Sequence, residues 1–281
     1  MIIRVIRGPN LNNFSLEQLP VDVHHTPEVL TQCLSFIDLT SLNATDTAAK
    51  IAAMVEKVND FPRHFPELPN VAAVCVYPNL VPVVKQRLQE SKVQIAAVGA
   101  GFPSSQTFIE VKCGECRRTV EVGADEIDIV ISLSAFLAND YNTMQDEIRQ
   151  IKQAIGKAHL KVILETGALS TEQIAAASKL SIEAGADFIK TSTGKMEPAA
   201  TPEAAWIMTQ AIKAHFDKTG EKIGFKPAGG IITAQDAVIY YTIVKTVLGN
   251  DWLTPKLFRL GASRLANNLL TEITGKTVSY F

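Results

Sequence analysis

The chain has 281 residues, of which 47% are hydrophobic and 20% are charged, and its formal net charge at pH 7 is -2. This balance is typical of a globular protein with a large core, and the weak negative charge excludes the basic surface of a nucleic-acid-binding protein. No apolar run reaches the ~18 residues of a membrane-spanning helix, and Arg4 and Arg7 interrupt the apolar N-terminus. We therefore expect a cytoplasmic protein without a nucleic-acid or membrane partner.

The chain alternates between short apolar runs and helical stretches from residue 34 onward. Residues 1–33 precede the first run and are predicted to form an N-terminal extension with a short helix near Thr26 and Pro27. The apolar runs lack period-two alternation, which is typical of strands buried on both faces. The eight predicted strands are residues 34–38, 71–76, 95–99, 127–131, 161–165, 187–190, 223–226 and 256–260.

Helix start and stop signals lie between these runs. Ser170 with Gln173 has the spacing of a capping box, and Gly185 follows as a stop signal. Thr201 precedes a proline, and Thr233 precedes an aspartate by three residues, so each is predicted to begin a helix.

Eight strands alternating with helices predict a (β/α)8 barrel of the TIM type, as a single domain over residues 34–272 with a tail at 273–281. The alternative is a doubly wound open sheet. No GxGxxG motif opens a helix, which excludes the usual dinucleotide-binding form of that sheet.

Two cysteines, Cys113 and Cys116, form a CxxC motif. A zinc site needs a second ligand pair, and a redox motif needs the start of a helix after a strand. The motif instead lies inside a long helical stretch, which favours two cysteines on neighbouring helical turns.

Two neighbouring predicted strands end on a lysine, Lys190 and Lys226. A single lysine at a strand end commonly extends its ammonium group to solvent. Two of them would meet at the C-terminal mouth of a barrel, where active sites lie. At ~4 Å and an effective dielectric near 20, their repulsion is about 4 kcal/mol, or roughly three pKa units. The pair therefore predicts an amine that is neutral near pH 7 and can attack a carbonyl.

A carboxylate is expected to accompany the lysines. Asp128 lies between isoleucines in a predicted buried strand, where an unpaired charge would be costly. The lysine pair is its predicted partner, although a purely structural ion pair would have the same pattern. Asp125 and Glu126 precede this strand and are predicted to face solvent.

Loops of small residues follow the last three predicted strands, at 191–195, 227–230 and 261–263. Their glycines allow backbone N–H groups to approach an anion, and barrels often bind phosphate with the loops after strands 7 and 8. The alternative is that each glycine only makes a tight turn.

Four segments of this chain resemble the deoxyribose-phosphate aldolase family. They are FIKTSTGK (188–195), GFKPAGG (224–230), GADEIDIV (123–130) and DLTSL (38–42), and the resemblance extends in order over roughly residues 34 to 270. It implies a (β/α)8 barrel that reversibly cleaves 2-deoxy-D-ribose 5-phosphate to acetaldehyde and D-glyceraldehyde 3-phosphate, without metal or cofactor. The five histidines of the chain are scattered and end no predicted strand, so we predict no metal site.

The resemblance also implies roles for single residues. Lys190 would form the Schiff base, Lys226 would lower its pKa, and Asp128 would transfer protons through a water molecule. Further site residues implied by the matches are Asp38, Thr40, Cys75 and Thr193. The expected phosphate contacts are Gly194, Lys195, Gly229, Gly230, Gly261 and Ser263.

The chain departs from the family pattern at two places. Ile231 and Ile232 follow the Gly-Gly pair where the family often has an arginine, and Arg264 stands where it often has a second serine. Either Arg264 takes over part of the phosphate charge, or it faces outward and unphosphorylated deoxyribose competes better. Tyr280 could belong to a tail that visits the site, or the chain end could simply be frayed.

Two rival functions remain open at this stage. Another Schiff-base aldolase would keep the lysine and change the loops that hold the substrate. A non-enzymatic sugar-phosphate sensor would keep the glycine loops without needing the amine. The sequence does not give the oligomeric state, and it leaves a homodimer open.

Overall fold

The computed structural model describes residues 14–281, which form eight parallel strands and eleven α-helices. The strands are β1 (Ile37–Thr40), β2 (Ala73–Val76), β3 (Gln94–Val98), β4 (Glu126–Val130), β5 (His159–Ile163), β6 (Phe188–Lys190), β7 (Gly224–Lys226) and β8 (Leu260–Ala262). The helices are α1 (Val21–His24), α2 (Pro27–Ser35), α3 (Ala48–His64), α4 (Val81–Arg87), α5 (Ile109–Glu121), α6 (Leu133–Leu137), α7 (Tyr141–Ile155), α8 (Thr171–Glu183), α9 (Pro202–Thr219), α10 (Ala234–Leu248) and α11 (Leu265–Thr274).

The sheet curls into a nearly closed barrel. Each strand pairs in parallel with its neighbours in chain order, and β1 also pairs with β8. Parallel bridges between Phe225 and Phe258 and between Ala228 and Gly261 join the two edges. The predicted TIM barrel is confirmed, and the open-sheet alternative is wrong.

The helices begin at the residues that the capping signals predicted. The hydroxyls of Ser170, Thr201 and Thr233 each accept a hydrogen bond from the backbone N–H three residues later. Ser170 and Thr233 complete full capping boxes, which satisfy two otherwise unpaired N–H groups at a helix start. Cys113 and Cys116 lie on neighbouring turns of α5, as predicted.

The first and last predicted strands are displaced in the structure. Residues 34 and 35 belong to α2, and β1 begins only at Ile37, because the apolar run spans the end of a helix and the start of a strand. At the other end Leu257 lies in a turn that precedes β8, and the strand continues through Gly261. Short apolar runs do not separate a buried helix end from a strand.

The remainder of the N-terminal prediction is partly described. Residues 1–13 lie outside the described residues, whereas the helix predicted near Thr26 extends over nine residues as α2 and packs against α10 and α11. Within residues 14–281, none of the helices has the length and apolarity needed to cross a bilayer.

Candidate active site

The two lysines of the sequence analysis lie side by side at the C-terminal ends of β6 and β7. Lys190 and Lys226 are the last residues of these strands and are paired in register. The two residues are 3% and 0% exposed, so both ammonium groups are inside the barrel mouth rather than in solvent. The interpretation of Lys190 as a solvent-reaching lysine is therefore wrong.

Asp128 contacts both lysines from β4, which is separated from β6 by β5. It is the third residue of β4 and fully buried, and its Oδ2 atom lies 2.8 Å from the Nζ atoms of both Lys190 and Lys226. Lys161 of β5 lies 3.3 Å from the second oxygen, Oδ1, which accepts no hydrogen bond from residues 14–281. The predicted pairing of Asp128 with both lysines is confirmed, and its second oxygen faces the ammonium group of Lys161.

The two lysines have opposite pKa shifts. Burial lowers the pKa of Lys190, and the adjacent Lys226 lowers it further, so the attraction of Asp128 does not restore the usual value. Burial also acts to lower the pKa of Lys226, but Asp128 and Asp38 together outweigh it and raise that pKa. Lys190 is thus the lysine that most easily becomes a free amine.

Asp38 extends the charged set toward β1. Its Oδ2 atom accepts a hydrogen bond from Lys226 at 2.5 Å, and its Oδ1 atom accepts one from Arg259 at 2.6 Å. Burial disfavours the carboxylate, yet Lys226, Arg259 and Lys161 outweigh it and hold the pKa of Asp38 far below its usual range. Thr40, two residues later, donates its hydroxyl to the carbonyl of Asp38 and orders the end of the strand.

Cys75 of β2 is an uncharged side chain that lies beside the charged residues of the site. It is fully buried with Leu42, Ala96 and Val98 in a small apolar cluster beside the charged residues. Burial raises the pKa of its thiol, so Cys75 is a thiol rather than a thiolate near neutral pH.

Three charged residues of the barrel interior were missed or misjudged at the sequence level. Glu126 was predicted to be solvated, which is wrong: it is the first residue of β4, 2% exposed, and accepts hydrogen bonds from Lys161 and Arg259. The alternation of side chains along a strand could have indicated this, because Glu126 and Asp128, two residues apart, point to the same side. Lys161 and Arg259 also lie in predicted buried strands, where a charge needs a partner.

The loop after β6 is held by Glu165, the last residue of the fifth predicted strand. Glu165 has a left-handed backbone (φ 55°), and its buried carboxylate accepts hydrogen bonds from the backbone N–H and the hydroxyl of Thr193 at 3.0 and 2.5 Å. Such a conformation costs a non-glycine residue of order 1 kcal/mol or more, and it is typically retained at functional sites. The Thr193 hydroxyl in turn accepts the N–H of Lys195.

The remaining residues of that loop lie at the rim of the mouth. Gly194 and Lys195 are exposed, and Lys195 donates its ammonium group to the carbonyl of Leu42 at 2.6 Å. This contact links the loop after β6 to the segment after β1.

The glycines after β7 and in β8 have different structural roles. Gly229 has φ 81°, and a Cβ atom there would lie 2.7 Å from the Cβ of Ala199, so only glycine fits. Gly261 lies within β8 rather than after it, and its N–H donates to the carbonyl of Pro227 in closing the barrel. Its buried N–H is therefore already engaged, whereas Gly230 and Ser263 are exposed at the rim.

Arg264 follows β8 at the same end of the barrel. It is exposed and occupies the N-cap position of α11, with its helix beginning at the next residue. Ile231, which stands near the position of the absent family arginine, is buried in the core.

The chain is similar to known proteins over most of its length. Residues 33–247 match the model of a family described as DeoC/LacD family aldolase. The chain belongs to this family. It is 42% identical to human deoxyribose-phosphate aldolase over 267 residues, covering 89% of this chain and 84% of the human protein, and 40% identical to the bovine enzyme of the same name with the same coverage.

A solved structure supports the same assignment. The deoxyribose phosphate aldolase of Aeropyrum pernix, described as a tetramer, superposes with a TM-score of 0.71 at 25% identity and covers 90% of this chain and 94% of its own. The chain is therefore an enzyme, an aldolase and carbon–carbon lyase on a TIM barrel.

The C-terminal tail of this aldolase packs at the other end of the barrel. Tyr280 donates its hydroxyl to the carbonyl of Lys57 in α3. Its ring packs edge-on against Phe61, in the last turn of α3, and against Phe65, which follows that helix. Since α3 leads from the end of β1 back to the start of β2, its last turns lie at the N-terminal end of the strands. In this arrangement Tyr280 is remote from Lys190.

Deletion of Tyr280 and Phe281 is expected to lower stability without lowering turnover per folded molecule. Both rings are partly buried against Phe61, so their loss should cost about 1–2 kcal/mol. Thermal melting and steady-state kinetics on the truncated chain would check this expectation. A large fall in kcat at a temperature where the truncated chain is fully folded would instead assign the tail to the mechanism.

Proposed function

We propose that this aldolase reversibly cleaves 2-deoxy-D-ribose 5-phosphate to acetaldehyde and D-glyceraldehyde 3-phosphate through a Schiff base on Lys190. The observation that carries the proposal is the shared contact of Lys190 and Lys226 with one oxygen of Asp128. It combines a lysine of lowered pKa with a carboxylate that can accept and return its proton. The names of the human and bovine relatives support the substrate.

The first steps need an amine and a proton shuttle. The neutral amine of Lys190 attacks the C1 aldehyde of the open-chain sugar to form a carbinolamine. Water then leaves with a proton that Asp128 delivers, and an iminium ion is formed. Lys226 retains its own proton because its pKa is raised, so it supplies fixed positive charge rather than a second nucleophile.

Cleavage uses the iminium as an electron sink. The C3 hydroxyl loses its proton to Asp128 through a water molecule, the C2–C3 bond breaks, and its electrons move into the iminium to give a neutral enamine. C3 becomes the aldehyde carbon of glyceraldehyde 3-phosphate. The enamine then takes a proton at C2, and water releases acetaldehyde from Lys190. Asp128, whose carboxylate lies against the nucleophile, is the group suited to hold that water.

Phosphate binding is assigned to the rim of the barrel. The proposed contacts are the exposed residues of the loops after β6, β7 and β8, with the Lys195 and Arg264 cations. The residues concerned are Gly194, Lys195, Gly230, Ser263 and Arg264. The N–H groups of Thr193 and Gly229 already donate to Glu165 and to the Gly261 carbonyl, so these two residues shape the loops. Gly261 contributes the close approach of the β7 and β8 backbones instead of a free N–H. A homodimer and a cytoplasmic location stay predictions.

Borohydride trapping tests the proposal. The protein is incubated with deoxyribose 5-phosphate or acetaldehyde, reduced, and digested for peptide mass spectrometry. We expect the adduct on Lys190. An adduct on Lys226 would reverse the two lysine roles, and the absence of any adduct, under conditions that trap another Schiff-base aldolase, would refute the Schiff-base mechanism.

Arg264→Ala is expected to lower kcat/KM about tenfold for deoxyribose 5-phosphate and to leave the value for deoxyribose unchanged. The reason is that this exposed cation stands at the mouth in a chain that lacks the family arginine after Gly230. Kinetics with both sugars would check the selectivity. Arg118→Ala, at the far end of α5, is the control for loss of an exposed arginine. Equal effects on both sugars would support the alternative in which unphosphorylated deoxyribose competes better.

Glu165→Ala is expected to raise KM for deoxyribose 5-phosphate about tenfold or more, because Thr193 loses two hydrogen bonds to a charged acceptor. Cyanoborohydride trapping with acetaldehyde, which carries no phosphate, should proceed at nearly the rate of the wild type. Glu165→Gln is the matched control, since its amide oxygen can still accept the Thr193 N–H. If acetaldehyde trapping slows as much as turnover of the phosphosugar, Glu165 acts on Lys190 rather than on the loop.

A further inference from the structure

A second group of charged side chains lies beneath the catalytic set, toward the N-terminal end of the barrel. The guanidinium group of Arg259 donates to Glu126 Oε1 at 2.7 Å and to Asp38 Oδ1 at 2.6 Å. Lys161 contacts Glu126 and also approaches Asp128 at 3.3 Å and Asp38 at 3.9 Å. The lower group is therefore continuous with the residues that surround Lys190.

The continuous network has one surplus positive charge when every member is ionised. Within residues 14–281 it comprises four cations and three carboxylates: Lys161, Lys190, Lys226, Arg259, Asp38, Glu126 and Asp128. All seven are at most 3% exposed. An uncompensated charge at such depth is costly, so the network favours the loss of one proton.

The number of carboxylate partners decides which cation becomes neutral. Lys161 has three carboxylates within 3.9 Å, Lys226 has two, and Lys190 has only Asp128. Arg259 has two and does not lose its proton in proteins. Lys190 is therefore the member whose deprotonation balances the network at least cost.

We propose that Arg259 supplies the surplus positive charge that keeps Lys190 in its neutral, nucleophilic form, and that Glu126 holds Arg259 in position. Both are positioning residues, because they lie beneath Asp38 and Lys161 and act on the nucleophile through them. The inference rests on the proposed function of Lys190. It attributes the neutral state of the Lys190 amine to the net charge of the seven buried residues rather than to Lys226 alone.

The charges that surround Lys190 come from several strands. The neighbouring charges are Asp128 from β4, Lys161 and Glu165 from β5, Lys226 from β7, Asp38 from β1 and Arg259 before β8, and the Cys75 thiol of β2 is neutral. Glu165 is set apart, because its carboxylate is bonded to Thr193. His159 lies 3.9 Å from Glu126 and is half-exposed. The pKa directions agree with the count, since the pKa is lowered for Lys190 and raised for Lys161, Lys226 and Arg259.

The test measures the pH dependence of Schiff-base formation. Acetaldehyde has no ionisable group, so the second-order rate of its cyanoborohydride-trapped addition reports the fraction of neutral Lys190. In Arg259→Gln the network has three cations and three carboxylates, and Lys190 should retain its proton. We expect the acid limb to move up by about one pH unit, which is about a tenfold slower rate below that limb.

A double variant provides the rescue. Glu126→Gln with Arg259→Gln leaves three cations and two carboxylates, so the surplus charge returns and the acid limb should move back toward its wild-type position. If Arg259 only packs the barrel, the acid limb of the trapping rate would stay at its wild-type position in both the single and the double variant. That result would overturn the inference.

Two further variants address folding. Arg259→Lys keeps the charge and loses the two-pronged contact, so its limb should stay in place even if its stability falls. Lys161→Met removes a different cation and should move the limb upward as Arg259→Gln does, which keeps the test decisive if Arg259→Gln does not fold. An unmoved limb in Lys161→Met would also overturn the inference. Absence of a wild-type adduct on Lys190 at every pH would refute the proposed function instead.

Discussion

Lys190→Met is expected to abolish the trapped adduct and to lower kcat/KM for deoxyribose 5-phosphate by at least about 10⁴-fold, as removal of a covalent nucleophile does. Methionine fills most of the volume of the lysine stem, so the barrel interior should remain packed. It also removes the least well paired cation of the network, which has a single carboxylate contact. Stability should therefore fall little.

A matched variant, Lys112→Met, separates this effect from the loss of any buried lysine. Lys112 in α5 is 1% exposed and is paired with Glu147 at 2.7 Å, outside the barrel interior. Lys112→Met should lower stability and leave trapping on Lys190 intact. A loss of adduct in Lys112→Met similar to that in Lys190→Met, at a temperature where both are folded, would contradict the assignment.

Lys226→Met should have an intermediate effect. The nucleophile is retained, but the cation beside it is lost, so the pKa of Lys190 should rise. Activity increases as pH rises through the pKa of the nucleophile, because only the neutral amine attacks. The acid limb of kcat/KM should therefore move to higher pH in Lys226→Met, and an adduct should still form on Lys190 under alkaline conditions.

The sequence predicts the charged residues that lie inside or at the end of an apolar strand, but not the orientation of a charged residue at the start of a strand. Lys190, Lys226 and Asp128 were recognisable because each is a charge inside or at the end of an apolar strand, where burial demands a partner. The barrel brings strand ends together, so their proximity followed from the fold. Glu126 was misjudged because a carboxylate at the first position of a strand looks the same in sequence whether it faces solvent or the barrel interior.

Glu165 shows a second limit. Its task depends on a left-handed backbone at φ 55° and on a partner 28 residues later, Thr193. Neither is readable from local sequence, since glycine or asparagine is the usual signal of that conformation. The displaced first strand has a related cause: Leu34 is apolar because it packs α2 on the core, and periodicity over so few residues does not separate this from a strand.

Asp128→Asn is expected to lower turnover by about 10²–10⁴-fold, the usual contribution of a positioned acid–base group, while an adduct still forms on Lys190. Asparagine keeps the shape and can accept a hydrogen bond, but it does not take up and return a proton. Loss of the negative charge also leaves Lys190 among cations only, so its pKa should fall further. Asparagine does not deliver the proton with which water leaves the carbinolamine, whereas a larger fraction of Lys190 is neutral at low pH. The trapping rate with acetaldehyde should therefore fall less than the rate of carbon–carbon cleavage.

Deuterium exchange measures protonation of the enamine directly. The enamine takes its proton at C2, so the wild-type enzyme in D₂O should label the methyl group of acetaldehyde, and Asp128→Asn should do so at a rate lowered as much as turnover is. Asp38→Asn is the matched control, because Asp38 contacts Lys226 and Arg259 while its hydrogen bonds do not reach Lys190. It should lose less exchange than Asp128→Asn. Equal losses would mean that the two carboxylates act together through Lys226, and that proton transfer belongs to the network rather than to Asp128.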